Sequence, residues 1–151
     1  MKNTLFLICA VLLFSVSAQA QKKKKSAPAK LIVPESVDAS FKNSYAVAEN
    51  SKWSKNYTGN YVANFTNANS LVQTSEYNAA GILVKSRTNL DITALPEVVT
   101  MAVEKKYSGA KVAECMKMEI PGLAPYYKVK VMVAENKEKV LFISEEGAVT
   151  Q

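Results

Sequence analysis

Two stretches of the chain carry apolar residues at four-residue intervals, and this spacing predicts an amphipathic helix in each. The positions are Val37, Phe41 and Tyr45 in the first stretch, and Leu95, Val99, Val103 and Tyr107 in the second. Pro34 and Pro96 precede them, and proline suits the first helical turn because its missing N–H would be unpaired there anyway. A glutamate follows each proline, where the positive end of the helix dipole favours a carboxylate. The sequence therefore predicts two short helices that begin near these prolines.

Strand patterns follow each helix. The segments YVANF (61–65) and YKVKVMV (127–133) alternate apolar and polar residues with period two, which is typical of a strand with one buried face. Further strand segments are SLVQTSEY (70–77), GILVKS (81–86), AECMKM (113–118) and KVLFIS (139–144). Gly81 and Gly147 lie where tight hairpins need a positive φ. Each half of the chain thus contains three of these segments, and with one further strand in each half we predict one helix followed by four antiparallel strands.

The two halves also match each other along the chain. Setting Pro34 on Pro96 places Tyr45 on Tyr107, at a separation of 62 residues. The strand positions match at 66 residues instead, so the second half carries four extra residues before Tyr127. One helix on four strands buries little apolar surface, whereas two joined copies could share a single apolar layer.

These patterns predict an α+β fold with a single domain at residues 31–151. We expect a two-layer sandwich, a tandem repeat of one helix plus a four-stranded antiparallel meander, with both helices on one face of the sheet. The repeats would span about 31–90 and 91–151.

The N-terminal residues predict export. Residues 1–20 combine Lys2, the apolar segment LFLICAVLLF and small residues up to Ala20, which is the pattern of a secretory signal. We predict cleavage after Ala20 and a periplasmic or secreted protein; a retained N-terminal anchor is the alternative. The apolar segment is short for a membrane span and no second one follows it, so we predict no transmembrane span.

Charge is concentrated just after this signal. Residues 21–30 contain Lys22–Lys25 without apolar periodicity, which predicts a solvated, flexible linker. Weak attraction of these lysines to anionic surfaces is a second interpretation. The whole chain has a net charge of +6, but residues 31–151 are close to neutral. That balance argues against a nucleic-acid-binding fold.

The candidate chemistry is sparse. The chain contains no histidine, which removes a Ser-His-Asp triad, a Cys-His pair and the commonest metal ligand. Cys115, alone after the predicted cleavage, lies in a strand segment and is predicted to be a buried structural thiol. No nucleotide-binding or calcium-loop motif occurs. We therefore predict no catalytic, cofactor or metal site, although scattered carboxylates leave an acid pair open.

A surface remains as the candidate site. If Tyr127 and the alternate residues after it face the helices, period two sends four side chains outward. They are Tyr126, Lys128, Lys130 and Met132. Aromatic and cationic side chains suit protein recognition, and Trp53 is a fifth candidate for partner binding. The alternative is that these residues only cover a sheet edge and maintain solubility.

Four features of the sequence together resemble a known family. They are the V/L-P opening, the aromatic-ended helix, Trp53 eight residues after that helix end and the hairpin glycine. The family is the PepSY-like, or beta-lactamase-inhibitor-like (BLIP-like), domain of secreted bacterial proteins, and the resemblance covers residues 31–151. It implies an exported tandem repeat without an established activity, for which inhibition or protein binding is suggested by analogy. The second half departs from the pattern because Cys115 stands where a second tryptophan would lie.

The predicted function is an exported, non-catalytic protein-binding or inhibitor-like module of the bacterial cell envelope. We expect its partner to be an envelope or extracellular protein rather than a nucleic acid, and we expect no cofactor. Two alternatives stay open. One is an enzyme that acts on envelope polymers through a carboxylate pair, and the other is a structural envelope protein.

Overall fold

The structure is a computed structural model, and it describes residues 31–135 and 137–150. Within these residues the chain forms two α-helices and eight β-strands. The helices are α1 (Glu35–Ser44) and α2 (Glu97–Lys106). The strands are β1 (Glu49–Lys55), β2 (Tyr61–Thr66), β3 (Val72–Tyr77), β4 (Leu83–Asn89), β5 (Lys111–Glu119), β6 (Tyr126–Ala134), β7 (Lys137–Ser144) and β8 (Val149–Thr150). The predicted export signal and basic linker lie outside the described residues.

Both helices begin and end as the sequence predicts. Pro34 and Pro96 directly precede them, and each proline carbonyl accepts the first backbone hydrogen bonds of its helix, from the Val37 N–H at 3.1 Å and the Val99 N–H at 2.9 Å. At the other ends the apolar stripes reach Tyr45 and Tyr107, whose N–H groups close the last turns. Two ten-residue helices are too short to be stable alone, so their apolar faces must pack on the sheet.

All eight strands lie in one sheet in their chain order, β1 to β8, and every neighbouring pair is antiparallel. The α+β class with an antiparallel sheet is thus confirmed. Residues directly opposite each other across strands share a face of the sheet. One such row runs from Phe65 in β2 through Gln73, Thr88 and Lys117 to Tyr127 in β6. Since α1 packs near Phe65 and α2 near Tyr127, both helices lie on the same face.

The core on this face is divided into two clusters rather than formed as one layer. The first holds Val37, Phe41, Tyr61, Ala63, Phe65 and Tyr77 under α1. The second holds Val99, Ala102, Val103, Cys115, Tyr127, Val129, Val131, Leu141 and Ile143 under α2. Between the clusters, β3 and β4 bury the polar side chains of Gln73, Ser75 and Ser86. The expected single apolar layer is therefore interrupted by polar residues.

Hydrogen bonds satisfy this polar seam. The Tyr45 hydroxyl oxygen accepts from the Gln73 amide at 3.2 Å and from the Ser75 hydroxyl at 3.0 Å. The Ser86 hydroxyl donates to a Glu119 carboxylate oxygen at 3.1 Å. Buried polar groups need such partners, because an unpaired one costs about 1–3 kcal/mol. The seam is thus a polar join between two apolar clusters.

The duplication that the sequence predicts for the two halves stays a prediction.

The described part of the chain has no helix of the length and apolarity that a bilayer crossing requires.

Replacing Phe41 by alanine should empty a packed site in the first cluster. Its ring lies 5.0 Å from that of Phe65 and 5.2 Å from that of Trp53, centroid to centroid. We expect Phe41→Ala to lower the free energy of unfolding by about 3–5 kcal/mol, measured by urea denaturation. Met101→Ala, at an exposed position of α2, is the control and should change it by less than about 0.5 kcal/mol. An unchanged midpoint for Phe41→Ala would contradict packing of this helix on the sheet.

Gly81 tests how closely the β3–β4 hairpin approaches α1. It has φ +83°, and a Cβ atom there would lie 2.5 Å from the Ser36 carbonyl oxygen. Gly109 has a similar φ of +74° but no atom within 4 Å of its would-be Cβ. Gly109→Ala should therefore cost only the left-handed strain of about 1–2 kcal/mol, whereas Gly81→Ala adds an overpacking cost of about 1–3 kcal/mol. Equal losses of thermal stability in the two variants would mean that this hairpin does not contact the helix.

Candidate functional site

The face of the sheet opposite the helices carries four of the five predicted site residues. In β6, Tyr127, Val129 and Val131 are buried under α2, so the alternating residues point away from the helices. These are Tyr126, Lys128, Lys130 and Met132, as the period-two pattern predicts. We call this side of the sheet the open face.

Trp53 lies on the other side of the sheet. It pairs with Ala63, which is buried under α1, so both side chains face the helix. Its ring packs edge-on against Phe41 at 5.2 Å and lies 6.3 Å from that of Tyr77. The structure therefore does not bring Trp53 together with the four other predicted residues. A partner contact at Trp53 stays a prediction, and it would concern a separate surface.

The open face contains a hollow of about 520 Å³. It is lined by Ser54, Asn56, Tyr57, Val62, Asn64, Thr74, Glu76, Lys85, Arg87, Met118 and Lys128. Lys128 is the one predicted site residue among them, and most of the lining comes from the first four strands. The hollow is thus shifted along the sheet from the β6 surface that the sequence indicates.

A buried carboxylate organises the floor of this hollow. Glu76 is only 8% exposed, although it lies on the open face. One of its oxygens accepts from the side-chain amides of Asn56 at 2.8 Å and Asn60 at 2.7 Å. The other lies 3.2 Å from the Lys85 Nζ. Burial by itself raises the pKa of Glu76, but the hydrogen bonds from Asn60, Lys85 and Asn56 outweigh it and hold the pKa below its ordinary value.

The same contacts fix the β1–β2 hairpin at the rim of the hollow. While Asn56 donates to Glu76, its side-chain oxygen accepts from the Thr58 N–H at 3.1 Å and the Asn60 N–H at 2.9 Å. Side-chain bonds of this kind define an Asx turn and hold a loop in one conformation. Tyr57, between these anchored residues, is fully exposed. An aromatic side chain is thus held in water on a fixed hairpin.

The cations around the hollow differ in their pairing. Lys85 is neutralised by Glu76, and Lys130, which lies outside the lining, is near Glu114 at 3.8 Å and Glu138 at 3.7 Å. Arg87 and Lys128 are exposed, and among residues 31–135 and 137–150 neither has a carboxylate oxygen within 4.0 Å. Two unpaired positive charges therefore face the hollow.

The described residues offer little for catalysis or metal binding. They contain no group of three or more metal-ligating side chains. Cys115 is buried, as predicted, and burial raises the pKa of its thiol to about 11, so the reactive thiolate is disfavoured. In the lining of the hollow, Glu76 is the single carboxylate, and both of its oxygens have partners. The lining of the hollow therefore offers no second carboxyl group to face Glu76.

Most residues of the lining were not predicted from the sequence, although a signal for part of the lining was present. In the segment GILVKSRTN, Lys85 and Arg87 are two residues apart, so one strand must place them on the same face. Met118 could not be found in this way. It joins Arg87 because β4 pairs with β5, and that pairing connects the two halves of the chain.

The fold and this surface define a class: an α+β domain whose helices cover one face of a meandering sheet and whose other face is open. No family model matches the chain, and no curated protein matches it significantly. Solved structures do match. A BLIP-like protein from Bacteroides fragilis has 22% identity and a TM-score of 0.72, over 82% of this chain and 86% of that one.

Two further solved structures from the same genus are similar. A DUF2874 family protein from Bacteroides ovatus has 26% identity and a TM-score of 0.71, over 80% of this chain and 86% of its own. A protein from Bacteroides eggerthii, provisionally described as periplasmic, has 21% identity and a TM-score of 0.69, over 80% and 88%. The resemblance to a BLIP-like domain is thus confirmed at the level of the fold, while its PepSY-like part stays a prediction.

Replacing Glu76 by glutamine should weaken the hairpin anchor and change its dependence on pH. Hydrogen bonds to a charged group are worth about 1.5–3 kcal/mol, so we expect Glu76→Gln to lower the free energy of unfolding by about that amount at pH 7. Because the folded-state pKa of Glu76 is lowered, its contribution is present above the unfolded-state value and is lost as the pH falls through the folded-state value.

The measurement is chemical denaturation of both proteins from pH 7 down to pH 3. The stability difference between the wild type and Glu76→Gln should shrink as the pH falls below about 4.5, the ordinary glutamate range. Glu138→Gln removes a more exposed carboxylate from the same face and serves as the control, with a change below about 0.5 kcal/mol. A difference that stays constant with pH would contradict an ionised, hydrogen-bonded Glu76.

Proposed function

We propose that this protein is an exported, non-catalytic protein-binding module of the bacterial cell envelope that binds its partner through the open face of its sheet. The observation that carries this proposal is the hollow itself. It combines an exposed tyrosine on a fixed hairpin with two unpaired cations on a rigid sheet. Aromatic and arginine side chains dominate the binding energy of protein interfaces, and fixing them beforehand reduces the entropy lost on binding.

The similar structures support the envelope part of this proposal. One is a BLIP-like protein, and another is provisionally described as periplasmic. Together with the signal pattern of residues 1–20, they favour a periplasmic or secreted location with cleavage after Ala20. An inhibitor-like action is the finer form of the proposal: a partner whose functional surface docks on the hollow would be blocked by simple occupation.

A duplication that produced the two halves is also supported by close approaches in the structure. A Cβ atom on Gly81 would meet Ser36 of α1, and a Cβ atom on Gly147 would meet Val98 of α2. Ser36 and Val98 are 62 residues apart, as Pro34 and Pro96 are. Each half therefore packs its last hairpin on the second residue of its own helix, which favours a repeat built from one ancestral unit.

The alternative of a polymer-acting enzyme has less support. Glycoside hydrolysis by paired acids needs two carboxyl groups that face each other across a cleft, at about 5–10 Å. The hollow presents one carboxylate, and hydrogen bonds and an ion pair engage it. A structural role in the envelope would need no surface that is specific for one partner, so the hollow does not favour it.

Capture of envelope proteins by the exported chain tests the proposal. We expect the variant Tyr57→Ala, Arg87→Ala, Lys128→Ala to capture at most about one fifth as much partner as the wild type, because truncating a few interface anchors removes most of the binding energy. The control on the opposite side is Met101→Ala, Lys105→Ala, Lys106→Ala, which should capture as much as the wild type. Equal capture by both variants would show that the open face is not the binding surface.

A further inference from the structure

We propose that the hollow of the open face recognises a short acidic segment of its partner protein. In this arrangement Arg87 and Lys128 hold carboxylates of the segment, and an apolar residue between those carboxylates packs against Met118. A neighbouring residue of the segment reaches the exposed ring of Tyr57. The inference rests on the proposed protein-binding function and adds the chemistry of the ligand.

The lining of the hollow carries a net positive charge. Three cations and one carboxylate line the hollow, and the Glu76 carboxylate is already paired with Lys85. Arg87 and Lys128 thus contribute two positive charges that nothing in the described residues compensates. A complementary ligand must bring negative charge to this position, and an electrostatic match also selects the partner and speeds association.

Apolar surface lies beside the two unpaired cations in the hollow. The unpaired cations come from β4 and β6, on either side of β5, which places Met118 in the hollow. Val62 lies in the floor, and the exposed ring of Tyr57 stands on the hairpin at the rim. Apolar surface next to two separated cations fits a segment in which carboxylates flank an apolar or aromatic residue. A simple anion would leave this surface unused.

The charge balance of the domain favours a protein ligand over a polyanion. Residues 31–151 carry 13 basic and 13 acidic side chains, so the domain as a whole does not attract an extended negative polymer. Lys130, next along β6, is flanked by Glu114 and Glu138, which ends the positive patch on that side. Polyanion-binding surfaces instead continue the basic stripe along the polymer. The patch here is long enough for a few carboxylates only.

Peptide titration followed by amide resonances of the exported chain tests the inference. The probe is the capped peptide Asp-Tyr-Glu-Leu-Asp, and its comparison is the uncharged Asn-Tyr-Gln-Leu-Asn. We expect the acidic peptide to shift resonances of β2–β6 and to bind about tenfold more tightly at low salt, with the advantage lost near 1 M salt. Equal affinities for the two peptides would overturn the inference.

A charge-reversal variant makes the test specific. Arg87→Glu with Lys128→Glu should abolish the preference for the acidic peptide and create one for Lys-Tyr-Lys-Leu-Lys. Lys105→Glu with Lys106→Glu makes the same change in net charge on exposed positions of α2 and should leave the wild-type preference intact. Loss of the preference in both variants would mean that net charge alone, and not the hollow, attracts the peptide, which overturns the inference.

Three other outcomes are distinguishable. Inorganic polyphosphate that binds the same resonances at least as tightly as the acidic peptide would assign the hollow to a polyanion instead. If an envelope partner is captured, and capture depends on Tyr57 but survives the charge reversal, then the acidic ligand is wrong while the proposed function stands. If the acidic peptide binds as expected but the open face captures no partner, the proposed function is wrong while the preference of the hollow for acidic segments stands.

Discussion

Two ten-residue helices cover only one side of an eight-stranded sheet, and this constraint shapes the rest of the molecule. Since side chains alternate along each strand, about half of the sheet residues must face water. The open face is held by the hydrogen bonds of the Glu76 carboxylate and the ion pairs of Lys130. The edge-on packing of Tyr126 on Phe142, with ring centroids 6.0 Å apart, adds an aromatic contact. The absence of an apolar layer there is what leaves a hollow available to a partner.

The two halves of the chain must also be connected to each other, in addition to being covered by the helices. Their apolar clusters are separated by the buried polar residues of β3 and β4, so the sheet itself carries the connection. Strands β4 and β5 pair from Ser86 with Glu119 to Asn89 with Met116. That pairing brings Met118 and Lys128 of the second half beside Arg87 of the first. A hollow assembled across the join is complete only when both halves are folded.

Local sequence patterns predicted the individual helices and strands better than they predicted the contacts between them. The spacing of Val37, Phe41 and Tyr45 gave the first helix, and period two along β6 gave the outward set that begins at Tyr126, because both depend on residues close in sequence. The polar seam escaped prediction: Gln73 and Ser75 look like surface residues until Tyr45, about 30 residues away, supplies their hydrogen bonds. The hollow was not predicted for the same reason, because Glu76 contacts Asn56 only after three strands have paired.

The two faces of the sheet differ in what they contribute. The face under the helices holds the core, and the open face carries the proposed binding surface. Substituting buried core residues such as Phe41 costs several kcal/mol, whereas exposed charged residues such as Arg87 and Lys128 contribute little to folding. The open face, which is the proposed binding surface, can therefore change its charge pattern without loss of the fold. Glu76 is the exception, because it is buried on the open face and fixes the hairpin that carries Tyr57. A substitution there would alter both the stability and the shape of the surface, so different ligand preferences on this fold should arise first at the cations around it.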